Sequence, residues 1–243
     1  FKSEDNAFLV VAANPEAIMG FLNGAGSNKY TSYNANIFAN GIAGSGSEAP
    51  RIDERLYSKI DDNDFRKDVF TTSSANYTYK TNNAGVEKTN MIPEYSSMKF
   101  SATLAKGVTV RDHQIICDNY VFRSSEAYLM LAEAYAQSGQ DAKAKEVLNI
   151  LLAARTKAGK PTLTCDNYSG MAGMTALQMV QLQTRIELWC EGGREYYNNK
   201  RWNVDVNRTG SSTHYEAAAT LAVGEMNLAI PRSETTTNTH WAD

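Results

Sequence analysis

The residues best suited to chemistry form one charged constellation in the last third of the 243-residue chain. It consists of six ionisable side chains: Arg185, Glu187, Glu191, Arg194, Glu195 and Arg201. Glu187 and Glu191 are four residues apart, so both lie on one face of a helix, and glycosidases use a carboxylate pair. Neighbouring arginines, however, keep both carboxylates ionised, whereas acid catalysis needs one pKa to be raised. The pattern therefore favours a structural ion-pair network, with at least one Glu–Arg hydrogen bond away from any large cleft.

No other motif in the sequence indicates catalysis, a cofactor or a metal. The three histidines, His113, His214 and His240, have no partners at the spacing of a metal site or a triad. The phosphate-binding GxxxxGKS/T loop, the GxGxxG turn and the GxSxG elbow are missing. The run from Asp61 to Asp64 resembles the start of a calcium loop but lacks the ligand spacing and glycine of an EF-hand. We interpret this run as a turn and helix cap.

Aromatic rings in polar loops provide the remaining binding chemistry. The segment from Asn23 to Pro50 is rich in glycine, asparagine and serine, and a loop of this length is functional or disordered. A flat ring suits the apolar face of a sugar, and asparagine, aspartate and arginine bond its hydroxyl groups. We therefore predict that Tyr30 or Tyr33 is exposed at one end of the helical body and binds ligand. Tyr77 and Tyr79, in a second polar stretch, are further candidates, and ordinary loop residues are the alternative for all four.

The elements that position these residues centre on a helical hairpin from Arg123 to Gly159. Two apolar stripes at three- and four-residue spacing predict its two helices. The stripes contain Ala127, Tyr128, Leu131, Ala132, Ala134 and Tyr135 in the first helix, and Ala144, Val147, Leu148, Leu151 and Leu152 in the second. Gly139 provides the positive φ of a helix end between them, and Asp141 is suited to cap the second helix. The small Ala132 and Ala144 allow the two backbones to approach closely.

The hairpin follows the tetratricopeptide pattern in weak form. The repeat's large and small positions are filled by Tyr128, Leu131, Ala132, Tyr135, Ala144 and Leu148. Thr156 replaces the repeat's proline. The sequence contains one such hairpin, whereas about three repeats are needed for a free-standing solenoid. We therefore expect the hairpin to pack on other elements, with its apolar residues in the core.

Further helices and loops are predicted around the hairpin. A long amphipathic helix is predicted from Thr175 to Glu191, and a short helix or turn from Arg194 to Trp202. Near the start of the chain, Asn14-Pro15-Glu16 predicts the opening of a short helix. The polar stretch from Thr71 to Asn90 fits either a two-stranded excursion or a loop. The predicted fold is thus mainly α, a tetratricopeptide-like helical hairpin with further packed helices, long loops and a few short strands.

The composition argues against two classes of function. The net charge is −3 and lysine and arginine are not clustered, which argues against nucleic-acid binding. No run of about 18 apolar residues exists, so no segment is predicted to span a membrane. Because Phe1 is not a start methionine, we expect a trimmed or partial product from which a targeting segment was removed. Cys117, Cys165 and Cys190 form no CxxC pair, and the sequence leaves a disulfide between Cys117 and Cys165 open.

Several stretches together resemble the carboxyl-terminal half of the SusD/RagB family of nutrient-binding outer-membrane lipoproteins. Asp64-Phe65-Arg66 is similar to the family's Asp-x-Arg element. Residues 122–134 resemble its Arg-x-x-Glu-x-x-Leu-x-x-Ala-Glu-Ala helix, and residues 142–159 the helix after it. Residues 185–202 resemble its Arg-x-Glu-Leu-x-x-Glu-Gly-x-Arg segment, and residues 227–234 its closing Pro-Ile-Pro-x-x-Glu. The order and spacing of these stretches, rather than any single motif, carry the resemblance.

The chain also departs from the family pattern. Gln183-Thr184 stands where the family usually has Glu-Arg, and Tyr197-Asn198-Asn199 where it usually has an Asp-Leu pair. Family members are usually much longer. Their amino-terminal half carries the signal peptide, the lipidated cysteine and most of the tetratricopeptide units. We therefore expect a single SusD-like carboxyl-terminal domain over residues 1–243, with a loop-rich ligand-facing part (1–122), a helical core (123–205) and a loop-rich tail (206–243).

The resemblance implies a binding protein rather than an enzyme. It implies capture of oligosaccharides, or of peptides in some members, at the surface of the bacterial outer membrane. The ligand then passes to a SusC-like TonB-dependent transporter, and the membrane is contacted only through a lipid anchor on the missing amino-terminal part. Ligand contacts in the family come from aromatic side chains on variable loops, so no site motif carries over. A helical-repeat scaffold that binds a partner protein, and a glycosidase built on Glu187 and Glu191, are the alternatives.

Overall fold

The computed structural model describes residues 14–22, 51–72, 78–83, 86–91, 94–97, 99, 119–213, 220–227 and 231. The α-helices in these residues are α1 (Glu54–Tyr57), α2 (Ser124–Gln137), α3 (Asp141–Arg155), α4 (Ala176–Glu187) and α5 (Arg194–Trp202). Single turns of 3₁₀ helix span Phe65–Val69, Ser169–Met171 and Val223–Glu225. The strands form antiparallel pairs: β1 (Ala17–Phe21) with β4 (Asn119–Arg123), β2 (Thr78–Asn83) with β3 (Val86–Met91), and β5 (Val206–Asn207) with β6 (Thr220–Leu221). The predicted mainly α class is confirmed.

Helices α2 and α3 form the predicted hairpin around which the core is built. Gly139 adopts a φ of 75° in the turn between them, as the sequence predicts. Ala132 and Ala144 are both fully buried, and Ala132 lies in one core cluster with Leu148 and Leu152. Helix α4 packs against both helices of the hairpin. The expectation that this hairpin packs on other elements is thus confirmed.

The predicted buried stripe of α2 is wrong except for Ala132. Tyr128 and Leu131 are 40% and 46% exposed, whereas Glu126 and Glu133 face the interior. The helix turns this way because both glutamates form ion pairs with arginines of α5. An ion pair that fixes one face of a helix decides which apolar residues are left outside.

Helix α4 begins as predicted but ends earlier. The Thr175 hydroxyl accepts a hydrogen bond from the N–H of Gln178, and Oε1 of Gln178 accepts one from the N–H of Thr175. The helix stops at Glu187 rather than Glu191. Buried Lys99 donates from its Nζ to the carbonyl oxygens of Glu187 (2.7 Å) and Trp189 (3.2 Å). These bonds satisfy acceptors that a longer helix would use internally.

The segment after Asn14 is a strand, not the predicted helix. The Asn14 side chain accepts a hydrogen bond from the N–H of Glu16, a local bond that competes with helix formation. Its amide nitrogen donates to the Tyr120 hydroxyl of β4 at 3.1 Å. The chain then continues as β1, in which Ala17 pairs with Arg123.

Other predictions about the connecting segments are resolved by the structure. Asp64 caps the turn at Phe65–Val69, as the helix-cap interpretation requires. Of the two alternatives for Thr71 to Asn90, the two-stranded one is found, as the β2–β3 hairpin. Cys165 is a buried free thiol rather than half of a disulfide.

Candidate functional site

Eight ionisable side chains meet in the interior, and we call this group the ion cluster. Its members are Glu16, Asp64, Arg66, Lys99, Arg123, Arg155, Glu187 and Glu191. Four are cationic and four are anionic, so the formal charges cancel. The members come from the turn before β1, the start of the 3₁₀ helix at Phe65–Val69, the segment at Lys99, the β4–α2 junction, the end of α3, and the end of α4 with the residues just after it. The cluster therefore joins elements that are far apart in the sequence.

Glu187 lies at the centre of the ion cluster with no exposed surface. Its Oε1 accepts hydrogen bonds from Nη1 of Arg123 and Nη2 of Arg155, both at 2.9 Å. Its Oε2 accepts from Nη1 of Arg66 at 2.9 Å and Nε of Arg155 at 3.0 Å. Burial alone raises the pKa of a carboxyl group, but the guanidinium groups of Arg155, Arg123 and Arg66 hold the pKa of Glu187 well below its ordinary value.

Glu191 forms the second anionic centre beside Arg123. Its Oε2 accepts from Nε of Arg123 at 2.9 Å, and its Oε1 from Nη2 at 2.7 Å and from Nζ of Lys99. Burial raises the pKa of Glu191, yet Arg123 and Lys99 together lower it. Burial is also the main reason that the pKa of Lys99 is lowered, although Glu191 opposes that shift. A bidentate guanidinium and an ammonium thus share one carboxylate.

The Asp64–Arg66 pair closes the cluster on the side of the 3₁₀ turn. Asp64 is fully buried and Arg66 is 1% exposed. Nε of Arg66 donates to Oδ1 of Asp64 at 3.0 Å, and its Nη2 donates to Oε1 of Gln183. The Tyr168 hydroxyl donates to Oδ2 of Asp64 at 3.0 Å, and burial raises the pKa of that phenol. The turn is thereby attached to α4 and to the loop after α3.

Glu16 covers the opposite side of the cluster, where its side chain is 24% exposed. Its Oε1 lies 2.7 Å from Nη1 of Arg155, and its Oε2 lies 3.1 Å from Nη1 of Arg123. The start of β1 is therefore held by charge to the start of α2 and the end of α3, in addition to its backbone pairing with β4.

Glu187 and Glu191 bind arginines, as predicted, but these arginines are not members of the sequence constellation. Arg194 and Arg201 pair with Glu126 and Glu133 of α2. Arg185 pairs with the exposed Glu195 at 2.9 Å. Sequence analysis missed Arg66, Arg123 and Arg155 as partners because they are distant along the chain. All three lie in stretches that resemble the family motifs, and that was the available signal.

The ion cluster is suited to holding structure rather than to moving protons. A general acid needs a carboxyl group whose pKa is raised towards neutrality. The pKa values of Glu187 and Glu191 are shifted the other way, and Glu187 has no access to solvent. Among the described residues, no group of three or more His, Cys, Asp or Glu side chains could hold a metal ion. Within the same residues, none of the helices has the length and apolar content needed to cross a bilayer.

The candidate ligand-binding tyrosines fall largely outside the described residues. Tyr30, Tyr33 and Tyr77 lie there, so their predicted role stays a prediction. Tyr79 lies in β2, where its backbone pairs with Asn90 of β3.

Two other aromatic residues, both on α5, differ in how far their rings are exposed to solvent. Tyr197 is 64% exposed, and its ring meets that of Tyr196 edge-on, with centroids 5.4 Å apart. Trp202 is half-buried between the guanidinium groups of Arg185 and Arg201, which lie 5.4 and 5.2 Å from the ring centroid. Its Nε1 donates to Glu133 at 2.9 Å. Trp202 is thus engaged in packing, whereas the ring of Tyr197 is open.

Comparisons with known proteins identify a family and solved structures that this chain resembles. The sequence model described as the SusD family matches residues 47–242. A comparison with curated proteins found no match. Among solved structures, a SusD-like carbohydrate binding protein from Bacteroides vulgatus has a TM-score of 0.57 at 20% identity, covering 96% of this chain and 49% of its own.

Two further solved structures are similar. A SusD superfamily protein from Bacteroides vulgatus has a TM-score of 0.62 at 19% identity, with 97% of this chain and 48% of its own covered. A SusD superfamily protein from Bacteroides thetaiotaomicron has a TM-score of 0.60 at 19% identity, with 92% and 47% covered. At this identity the likeness concerns the fold. The chain spans about half the length of these solved relatives.

Proposed function

The chain belongs to the SusD family, and on that basis we propose that it binds oligosaccharides without turning them over, for nutrient uptake at the bacterial outer membrane. The observation that carries this proposal is the family match over residues 47–242. A SusD-like carbohydrate binding protein from Bacteroides vulgatus shares the fold. Because the chain spans about half the length of such relatives, the activity of the whole protein is part of the proposal.

The proposed partners follow from the same membership. The bound oligosaccharide passes to a SusC-like TonB-dependent transporter, and the protein acts at the cell surface. Contact with the membrane is made through a lipid anchor on an amino-terminal part beyond this sequence. With a net charge of −3, the chain is not proposed to bind nucleic acid.

The charge arrangement supports binding rather than hydrolysis. A glycosidase acid must be protonated near neutral pH and must reach the glycosidic oxygen. Glu187 is enclosed by three guanidinium groups, and Glu191 is held by Arg123 and Lys99. Both side chains are therefore assigned to the interior framework.

The proposed ligand contacts are aromatic rings in the loop-rich first part of the chain. Tyr30 and Tyr33 are the leading candidates, and Tyr77 and Tyr79 are the second pair. In this proposal residues 1–122 face the ligand, residues 123–205 form the helical core, and residues 206–243 are the tail. No cofactor or metal is invoked, since ring stacking and hydroxyl hydrogen bonds suffice for a sugar.

Calorimetric titration tests the ligand assignment. Oligosaccharides of different linkage are titrated into the full-length protein, the Tyr30→Ala/Tyr33→Ala double variant, and the Tyr197→Ala variant. Tyr197 is a matched control because it is an exposed tyrosine on α5, outside the candidate loop. Loss of two stacking rings is expected to weaken binding by roughly tenfold to a hundredfold, while the control stays at wild-type affinity.

Each result separates the possible functions. Equal affinities of the wild type and the double variant would remove Tyr30 and Tyr33 from the site. Binding of peptides in place of oligosaccharides would identify a RagB-like peptide carrier. Release of shorter sugars during titration, detected by chromatography, would instead support the glycosidase alternative.

A helical-repeat scaffold for a partner protein is the second candidate function. It is favoured by the tetratricopeptide-like hairpin and by the exposed apolar residues of α2, such as Leu131. Co-purification of the tagged protein with a transporter, in the absence of any measurable sugar or peptide binding, would support the scaffold over the carrier.

A further inference from the structure

The β2–β3 hairpin leaves the core from a short paired segment, which we call the hairpin base. It consists of Phe70 and Thr71 on one side and of Tyr95, Ser96 and Ser97 on the other. The N–H of Thr71 donates to the carbonyl oxygen of Ser96 at 2.9 Å, and the N–H of Tyr95 donates to that of Thr71 at 2.8 Å. These bonds fix the distance between the two sides, but they do not fix the direction in which the hairpin leaves.

Aromatic packing holds the hairpin base against the helical core. The ring of Phe70 meets that of Trp189 edge-on, with centroids 5.3 Å apart. Tyr57 of α1 meets the rings of Phe70 and Tyr95, at 6.2 and 5.3 Å. The N–H of Ile52 also donates to the carbonyl oxygen of Tyr95 at 2.9 Å. Edge-to-face ring pairs have a preferred geometry, so they restrict the rotation of the base.

Tyr95 has a backbone conformation that tyrosine rarely adopts. Its φ is 65°, in the left-handed region that favours glycine. Such a conformation persists only where the surrounding contacts impose it. Tyr95 lies shortly after Met91, the last residue of β3, so the chain turns here between the hairpin and the core. The direction of the hairpin is therefore imposed by tertiary contacts rather than by local preference.

Lys99 follows the hairpin base and extends into the ion cluster. Its side chain is 1% exposed. Its Nζ donates to the carbonyl oxygens of Glu187 and Trp189 and to the carboxylate of Glu191. Trp189 thus accepts a bond from Lys99 and also packs its ring on Phe70. Both sides of the hairpin base are therefore fastened to the residues directly after α4.

The ammonium group suits this fastening better than an apolar side chain would. An ammonium has three N–H donors, and here three fixed acceptors receive them. Two of the acceptors are backbone oxygens at the end of a helix, so their positions are set by α4. A buried charge that moved away from its acceptors would lose its compensation. Lys99 is therefore held at one position, and the chain beside it is held too.

We infer that Lys99 is a positioning residue for oligosaccharide binding, because its ammonium group fixes the direction in which the β2–β3 hairpin leaves the core. Tyr79, a proposed ligand contact, lies in β2 and pairs with Asn90 of β3. A binding group that is held in place before the sugar arrives loses less entropy on binding. The inference rests on the proposed function for the role of Tyr79, whereas the anchoring of the hairpin is independent of any ligand.

Amide hydrogen exchange of the Lys99→Met variant tests the anchoring. Methionine nearly keeps the length of the side chain but has no donor. In the full-length variant, the amides of Thr71, Tyr95 and Ser96 are expected to exchange roughly tenfold faster relative to those of α3, because the hairpin base opens locally. Fragmentation mass spectrometry resolves these amides. Lys99→Gln, which keeps an amide donor, should show a smaller shift and replaces Lys99→Met if that variant does not fold.

Ala132→Leu is the matched control for this measurement. It disturbs the packing of α2 on α3, where Ala132 is fully buried, and it leaves Lys99 and the hairpin base in place. It should therefore lower the stability of the protein without a selective increase in the exchange of the hairpin base. The control separates the loss of an anchor from a general loss of stability.

Calorimetric titration of the full-length proteins connects the anchor with binding. Xylohexaose, mannohexaose and maltohexaose are the probes. For the sugar that the wild type binds best, Lys99→Met is expected to weaken binding by roughly threefold to tenfold. Tyr79→Ala should weaken binding in the wild type but have little further effect in Lys99→Met, since the ring is then no longer held. Groups that act through one another give such non-additive effects, whereas independent groups give additive ones. Ala132→Leu should bind as the wild type does.

Three results would overturn the inference. Unchanged exchange of the hairpin base in Lys99→Met would mean that Lys99 does not anchor it. Exchange that rises by the same factor in the base and in α3 would mean that Lys99 supports the fold as a whole. Additive effects of Lys99→Met and Tyr79→Ala on affinity would mean that Lys99 does not act through the hairpin. Failure of the wild type to bind any of the three sugars would count against the proposed function, and the exchange result would then decide the anchoring alone.

Discussion

Glu187 is a carboxylate without access to water, and its charge is tolerated because three guanidinium groups satisfy both oxygens. Removing one member of such a buried group is costly, since its partners remain buried and unpaired. The stability that Glu187 contributes therefore includes the cost of leaving Arg66, Arg123 and Arg155 buried without an anionic partner when Glu187 is neutralised.

The Glu187→Gln variant is expected to lose about 3–5 kcal/mol of unfolding free energy. Glutamine keeps the shape of the side chain but leaves an excess of positive charge in the cluster. Glu195→Gln is the control, because Glu195 is 57% exposed and its pair with Arg185 is expected to contribute about 0–1 kcal/mol. Urea unfolding of the three proteins measures the difference. Similar midpoints for the two variants would mean that the cluster contributes no more than a surface pair.

Acid should destabilise the protein through the same carboxylates. The folded-state pKa values of Glu187 and Glu191 are depressed below the ordinary 4.5. Their contribution is therefore fully present above that value and is lost as the pH falls through the folded-state pKa values. The melting temperature of the wild type should decrease as the pH drops below about 4.5. Glu191 is less buried than Glu187, and the Glu191→Gln variant should show a smaller decrease over this acidic range, which we call the acid limb. Parallel acid limbs in the wild type and the variant would assign the acid sensitivity to other carboxylates.

The residues of the cluster show which part of the site the sequence predicts. The lowered pKa of Glu187 and its bond to arginine follow from a carboxylate in an arginine-rich neighbourhood. The identity of the arginines does not follow, because Arg66, Arg123 and Arg155 reach it only through tertiary contacts. The resemblance to family motifs places all three in recurring stretches, but a motif gives no distances. The aromatic ligand candidates fall mostly outside the described residues, so their predicted role is tested by mutation.

Helices α2 and α3 show how far local pattern determines an element. The hairpin, its turn at Gly139 and the burial of Ala132 and Ala144 follow from small and apolar residues at helical spacing. The orientation of α2 does not follow, since apolarity alone cannot indicate that Glu126 and Glu133 bind arginines of α5. The same limit applies to β1, whose helical start signal is overridden by pairing with β4.

The Ala132→Leu variant tests the close approach of α2 and α3. Ala132 and Ala144 are fully buried on the two helices of the hairpin, so a larger side chain must displace its neighbours. We expect a loss of about 1–3 kcal/mol of unfolding free energy, measured by thermal melting. Ala134→Leu is the control, because Ala134 is exposed on the same helix and has space for the added atoms. An unchanged midpoint for Ala132→Leu would contradict the packing of the two helices.

At the scale of the whole molecule, the ion cluster connects segments that are otherwise linked by long stretches of chain. Glu16 precedes β1, Arg123 and Arg155 lie at the start of α2 and the end of α3, and Glu187 ends α4. Glu187 alone binds arginines from three other segments: Arg66, Arg123 and Arg155. The cluster therefore couples the stability of the elements rather than that of any one helix.

Amide hydrogen exchange distinguishes this coupling from a local effect. In the Glu191→Gln variant, the slowest amides of α2, α3 and α4 should lose the same free energy of opening, because they exchange through one shared unfolding event. The glutamine still accepts from Arg123 or Lys99, so the protein is expected to stay folded at neutral pH. Glu195→Gln should leave all three helices unchanged. If protection falls only near the end of α4, where Glu191 lies, the cluster would be a local support for that helix and not a junction of the whole fold.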